Sequence, residues 1–205
     1  PNPALEAELR SRGKDKYADK VAHAGNLNVS YVYQEEPLGL GHAVHCAADC
    51  IDGEPFFVLL GDVLVPDNQM LIRMKEVSDA HKGASVIAVL PVAPEEVDRF
   101  GVIAGSEVEE GVWKVDSLVE KPPIDEAPSN LAVFGRYLLT PRVMDLLAEV
   151  KPGAGGEIQL TDALDALLRE EEMYALVIDP EEGYDTGTIE SWLDTNNRLY
   201  KKMHG

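Results

Sequence analysis

The chain has 205 residues, 45% of them hydrophobic, and a formal net charge of −19. Its length and apolar fraction suit one sizeable globular domain, and the charge opposes a nucleic acid backbone as main partner, which needs a basic stripe. A small anionic ligand fits only with local help from a divalent cation, backbone N–H groups or a placed Lys.

In chain order, 4–24 is charged, carries Ala and Leu, and reads as one or two helical segments broken near Gly13. "LNVSYVYQ" (27–34) alternates Leu27, Val29, Tyr31 and Tyr33, the period of a half-buried strand. A helix is predicted over 42–51 after the turn residues 37–41. Its His42, His45, Cys46 and Cys50 invite a zinc reading, but no second pair of ligands lies nearby, and a helix packed on a sheet is the simpler account. Cysteines four apart on a helix lack the geometry a disulfide prefers.

"FFVLLGD" (56–62) is continuous and apolar, which favours a parallel strand covered on both faces. Its terminal Asp62 is either a turn residue or a metal ligand. A helix over 67–81 follows, with Asp67 or Asn68 placed to cap it, then a buried strand over 84–92. Residues 100–122 form a predicted hairpin turning at Glu110-Gly111, and 130–139 a further strand. Helices over 141–150 and 156–171, a strand over 173–179 and a closing helix over 188–202 complete the pattern. Strand–helix alternation with one antiparallel insertion predicts an α/β fold with a mixed, mostly parallel, Rossmann-like sheet in a single domain, 1–205. Ligands bind such sheets beyond the carboxyl ends of strands. Asp62 stands at one such end, and "YDTGT" (184–188) places Asp185 between a strand and a helix, where a turn or cap role is the competing account.

The segments "QEEPLGLGHAV" (34–44), "LLGDVLVPDN" (59–68), "FGVIAG" (100–105), "VEKP" (119–122), "PSNLAVFGRYLL" (128–139) and "GAGGEIQLTDAL" (153–164) occur in that order. Together they resemble the bacterial UTP–glucose-1-phosphate uridylyltransferases, or UDP-glucose pyrophosphorylases, from about residue 28 onward. VEKP and FGV are common to the wider nucleotidyltransferase superfamily; the segments at 128–137 and 153–163 are more specific. The resemblance implies the nucleotide-diphospho-sugar transferase fold and transfer of UMP from UTP to glucose 1-phosphate, giving UDP-glucose and pyrophosphate for polysaccharide and envelope precursors. Two departures stand out. The family's opening Gly-rich segment, GxGTR…P…K, has no counterpart, so the chain looks like the C-terminal two-thirds and is expected to be inactive alone. "YDTGT" is closer to the form in glucose-1-phosphate thymidylyltransferases.

By resemblance, Asp62 and Asp185 match two Mg²⁺-binding positions, Lys121 the group that grips the sugar phosphate, and Glu120 the acceptor for sugar hydroxyls. Gly101, Asn130 and Val133 match the sugar pocket, and Gln34 and Gly39 the residues that read the base. Successive Glu and Lys in a strand point to opposite faces unless the strand ends there, which Pro122-Pro123 favours; an exposed charged strand edge is the alternative. Glu157 either caps a helix or touches ligand. The family commonly forms dimers or tetramers. A thymidylyltransferase is the nearest rival, and a non-catalytic sugar-nucleotide-binding module is the alternative of another class. No membrane-length apolar run and no basic–apolar–small leader occurs, so a soluble, cytoplasmic protein with no membrane partner is expected.

Overall fold

The computed structural model describes residues 1–204, leaving aside the Ala154 side chain; Gly205, inside the expected single domain, lies outside the described residues. The chain divides into two compact units, 1–33 and 34–205.

The first unit is a helical hairpin. Asn2 accepts from the Leu5 amide at 3.1 Å and Pro3 opens α1 (Pro3–Ser11), a residue that loses nothing where the amide would be unpaired. Gly13, at φ +69°, reverses the chain into α2 (Asp15–Gly25). Arg10 ties the helices by hydrogen bonds to Glu6 and Asp19. The expected strand over 27–34 is not formed. Its alternation is intact, but no ladder partner exists for it among the described residues, and Tyr31 and Tyr33 stand 83% and 84% exposed. A strand is held by its neighbours rather than by its own pattern.

The second unit is an α/β sandwich. Its elements are α3 (Leu40–His45), β1 (Phe56–Leu59), β2 (Val63–Leu64), α4 (Gln69–Ala80), β3 (Ser85–Pro91), β4 (Gly101–Glu109), β5 (Val112–Glu120), β6 (Leu131–Leu139), α5 (Arg142–Glu149), α6 (Leu160–Leu167), β7 (Met173–Val177), β8 (Tyr184–Asp185) and α7 (Ile189–His204). Six strands form one sheet in the order β1-β6-β3-β7-β5-β4, and β2 pairs separately with β8.

The mixed α/β sheet stands, with its sense corrected. Among the described residues only β3 and β7 run parallel; β1–β6, β3–β6, β4–β5, β4–β6 and β5–β7 are antiparallel. β1 is therefore an antiparallel edge strand. A continuous apolar run demands cover on both faces, which either sense supplies: Phe56 and Val58 pack into one core cluster and Phe57 into the other.

The same period of two builds both core layers. Ile87, Val89, Tyr137, Leu139, Met173 and Ala175 face α5 and α6, where Val143, Leu147, Leu164 and Leu167 meet them. Val86, Ala88, Leu138, Tyr174 and Leu176 face Met70 and Met74 of α4. Asp67 serves the start of α4 by accepting from the Gln69 amide at 2.9 Å. Two predicted helices are shorter than expected. Residues 42–51 hold only the end of α3 and a single 3-10 turn, closed by the Cys50 amide on the Ala47 carbonyl. Residues 156–159 stay outside α6 because the Ile158 backbone is already used. Its N–H donates to the Leu38 carbonyl at 2.7 Å, and its carbonyl accepts from the Gly41 amide at 2.8 Å.

Candidate active site

A cavity of about 390 Å³ opens at the ends of the central strands, lined by loops and strand ends from 60–63, 90–92, 99–101, 120–121, 132–137, 157–161 and by Asp185. Four carboxylates, Asp62, Glu120, Glu157 and Asp185, share its wall with two cations, Arg99 and Lys121.

Asp62 and Asp185 arrive from chain segments 123 residues apart, joined by the short β2–β8 ladder that pairs Val63 with Asp185. Thr186 closes the junction, its amide and hydroxyl donating to the Asp62 carbonyl at 2.8 and 2.7 Å. The two carboxylates converge on Gly187. A Cβ built there would lie 3.1 Å from Asp185 Oδ1 and 3.3 Å from Asp62 Oδ2. Asp185 Oδ1 also accepts from the Gly187 amide at 2.8 Å, which is the turn role set against metal binding in the sequence. Asp62 makes no side-chain hydrogen bond or ion pair among the described residues. Two hard oxygen donors on one cavity wall, both close to Gly187, suit a divalent cation completed by phosphate oxygens and water; no group of three or more His, Cys, Asp or Glu ligands forms among the described residues.

Glu120 and Lys121 resolve the strand-parity question. β5 ends at Glu120, and Lys121 takes a left-handed φ of +48°, so both side chains reach the same cavity. The Lys121 amide donates to the Phe100 carbonyl at 2.9 Å, and its ammonium stands 3.9 Å from Glu120. Glu120 Oε2 accepts from the Thr161 hydroxyl at 2.7 Å, which fixes the carboxylate. Gly101 faces Glu120 in the hairpin register; a Cβ there would come within 3.1 Å of both Glu120 Oε2 and Thr161 Oγ1.

Val133 and Glu157 line the cavity, but three expected residues do not. Asn130 is exposed, and its amide donates at 3.1 Å to the carbonyl of the lining residue Val92. Gln34 and Gly39 sit beside the lining residue Leu40 instead. Gln34 Nε2 lies 3.0 Å from both the Gly39 carbonyl and His42 Nδ1. Gly39, at φ +110°, lies so close to Ile158 that a Cβ would meet its carbonyl at 2.7 Å. Of the zinc candidates, His42 and Cys46 approach to 3.9 Å and Cys50 is exposed.

Four residues escaped the sequence reading. Thr161 anchors Glu120, as above. Tyr137 is buried in the cavity wall, where burial first, then the charges of Glu120 and Asp62, hold its phenol well above the ordinary range and keep it neutral. Arg99 lies over the Phe100 ring and pairs with Glu96 at 3.0 Å. Arg136 sits behind the wall, 5% exposed, beneath the loop that carries Asp62. The signal available for it was a charged residue inside an otherwise apolar strand, "AVFGRYLL".

The family model described as nucleotidyl transferase matches residues 5–202. A UTP–glucose-1-phosphate uridylyltransferase of Bacillus subtilis is 43% identical over 185 residues, 89% of this chain and 62% of that protein. One from Pseudomonas aeruginosa is 35% identical over 204 residues, 98% of this chain and 72% of that protein. A crystal structure of UDP-glucose pyrophosphorylase complexed with UDP-glucose superposes with a TM-score of 0.85 at 36% identity, covering 98% of this chain and 78% of that one. The chain thus spans about two thirds of the length of the curated relatives it matches. On this match across nearly its whole length, the chain belongs to the nucleotidyl transferase family.

Proposed function

We propose that the chain serves uridylyl transfer: UMP passes from UTP to glucose 1-phosphate, forming UDP-glucose and releasing pyrophosphate. The observation that carries this reading is the convergence of Asp62 and Asp185 on one point beside a cavity that also presents Glu120 and Lys121. The uridylyl name borne by relatives at up to 44% identity favours UTP over dTTP. Because the family match runs across both compact units, we read both as parts of one nucleotidyltransferase domain.

A phosphate oxygen of glucose 1-phosphate attacks the α-phosphorus of UTP, and the bond to pyrophosphate breaks on the opposite side. Two polyanions must meet, so positioning and charge stabilisation dominate. A divalent cation, Mg²⁺ in our reading, supplies charge neutralisation between the two phosphates when bound, and Asp62 and Asp185 would hold it. Lys121 provides the ammonium for the sugar phosphate. Glu120, already oriented by Thr161, accepts from sugar hydroxyls, and Gly101 with Val133 leaves the pyranose room against the wall. Tyr137, held neutral, offers a hydroxyl without adding to the four carboxylates. Gln34 and Gly39 are assigned to the base side, since the Gln amide carries both a donor and an acceptor for the edge of uracil. Asn130, tied to the lining residue Val92, keeps its assignment to the sugar side.

No helix among the described residues is long and apolar enough to cross a membrane. We place the reaction in the cytoplasm with a homodimer or homotetramer as the working form, to be read by light scattering. The full-length gene product, given Mg²⁺, UTP and glucose 1-phosphate, is expected to release pyrophosphate and UDP-glucose; strong preference for dTTP over UTP would sink the uridylyl assignment.

A further inference from the structure

We propose that Arg136 is a positioning residue for the paired aspartates: its buried guanidinium fixes the turn that aims Asp62 and, through Val63, the ladder that carries Asp185. The inference rests on those two carboxylates being the metal pair.

Arg136 lies in β6 opposite Leu59, where β1 ends. Its Nη1 donates to the carbonyls of Leu60 at 3.1 Å and Gly135 at 2.9 Å, and its Nη2 to the Val63 carbonyl at 2.6 Å. Leu60 and Val63 bracket Gly61-Asp62, so one planar group holds both sides of the turn. Val63 in turn faces Asp185 across the β2–β8 ladder. The backbone adds its own tie, the Leu60 amide donating to the Gly135 carbonyl at 3.0 Å.

The choice of side chain is informative. Residues 131–139 otherwise expose little, and an apolar residue at 136 would avoid the cost of burying a charge. Arg136 forms no carboxylate ion pair among the described residues; all three of its partners are backbone carbonyls, and its Nε is buried without one. Burial draws its pKa down, and the nearby Asp62 charge opposes that shift. A buried cation satisfied by carbonyls of one turn stabilises that turn's geometry. Its charge acts on Asp62, so its contribution to the pair is to hold the turn in place. A Lys ammonium is a single point and cannot bridge the same three carbonyls in one plane.

The test is Mn²⁺ binding to the full-length gene product, followed by electron paramagnetic resonance, for the natural protein, Asp62→Asn, Arg136→Met and Arg136→Lys. Arg136→Met is expected to weaken Mn²⁺ binding by about tenfold or more, the range seen when groups supporting metal ligands are removed. Arg136→Lys, which keeps the charge, should fall in between and stays usable if the Met variant does not fold. The Mg²⁺ concentration for half-maximal turnover should rise in parallel, with the KM for glucose 1-phosphate within about twofold of the natural value. If Asp62→Asn abolishes binding while folded Arg136 variants bind Mn²⁺ normally, the positioning role is wrong. If Asp62→Asn itself binds normally, the metal reading fails, and this inference with it.

Discussion

Asp62 by itself is ambiguous in the sequence, an acid after a glycine at the end of an apolar strand. Its meaning comes from Asp185, which the β2–β8 ladder brings to face the same point. Replacing either by Asn in the full-length protein should cut divalent-dependent turnover by roughly a hundredfold or more while leaving the circular dichroism spectrum unchanged. Near-normal turnover in either variant would refute the metal assignment. Lys121→Ala removes a charged hydrogen bond worth about 1.5–3 kcal/mol, so kcat/KM for glucose 1-phosphate should drop roughly tenfold to a hundredfold. An unchanged value would take Lys121 out of the phosphate site. Asp162, in the first turn of α6, has its pKa raised by burial and then by Asp165. A carboxyl whose folded pKa lies above its unfolded one costs stability as pH climbs through that window. Asp162→Asn should therefore be more favourable, relative to the natural protein, at neutral pH than near pH 3; an equal increment at both, measured by urea unfolding, would contradict this. Residue types legible in sequence were those with a motif around them. Thr161 and Arg136 lie inside such segments, 153–164 and 128–139, yet their roles stay hidden there, because they exist only through contacts with Glu120 and with the 60–63 turn.

Elements with a strong local pattern were read well. The hairpin at Glu110-Gly111, the central strand 84–92 and the helices at 67–81 and 188–202 all appear within a few residues of their expected bounds. Misreadings arose where distant backbone decides. Strand sense is not encoded in a continuous apolar run, so β1 was expected parallel and is antiparallel to β6. The start of α6 is delayed because Ile158 exchanges hydrogen bonds with Leu38 and Gly41, partners more than a hundred residues away. That exchange packs Gly39 against Ile158 closely enough that Gly39→Ala forces the two loops apart at a positive φ. The variant should raise the KM for UTP more than that for glucose 1-phosphate; the reverse order would move Gly39 away from the base side. The helix itself is anchored by Leu164, 1% exposed, and Leu164→Ala should cost about 2–5 kcal/mol in denaturant unfolding.

For the molecule as a whole, a net charge of −19 and a cavity wall with four carboxylates pose the same problem twice for the proposed reaction, whose anionic substrates would have to enter an acidic protein. The answer is local. Lys121 and Arg99 face the cavity, Arg136 supports it from behind, and the aspartate pair invites a divalent cation. The composition made that need visible, while the identity of the supporting cations required the fold. If this aspartate pair holds the metal for uridylyl transfer, pyrophosphate release by the full-length protein depends on a divalent cation and on both carboxylates. With UTP, glucose 1-phosphate and Mg²⁺ the natural protein should release pyrophosphate; chelation by EDTA should stop it, and added Mg²⁺ should restore it in the natural protein but not in Asp62→Asn or Asp185→Asn. Release that persists through chelation, or that returns equally in the two Asn variants, would contradict the claim.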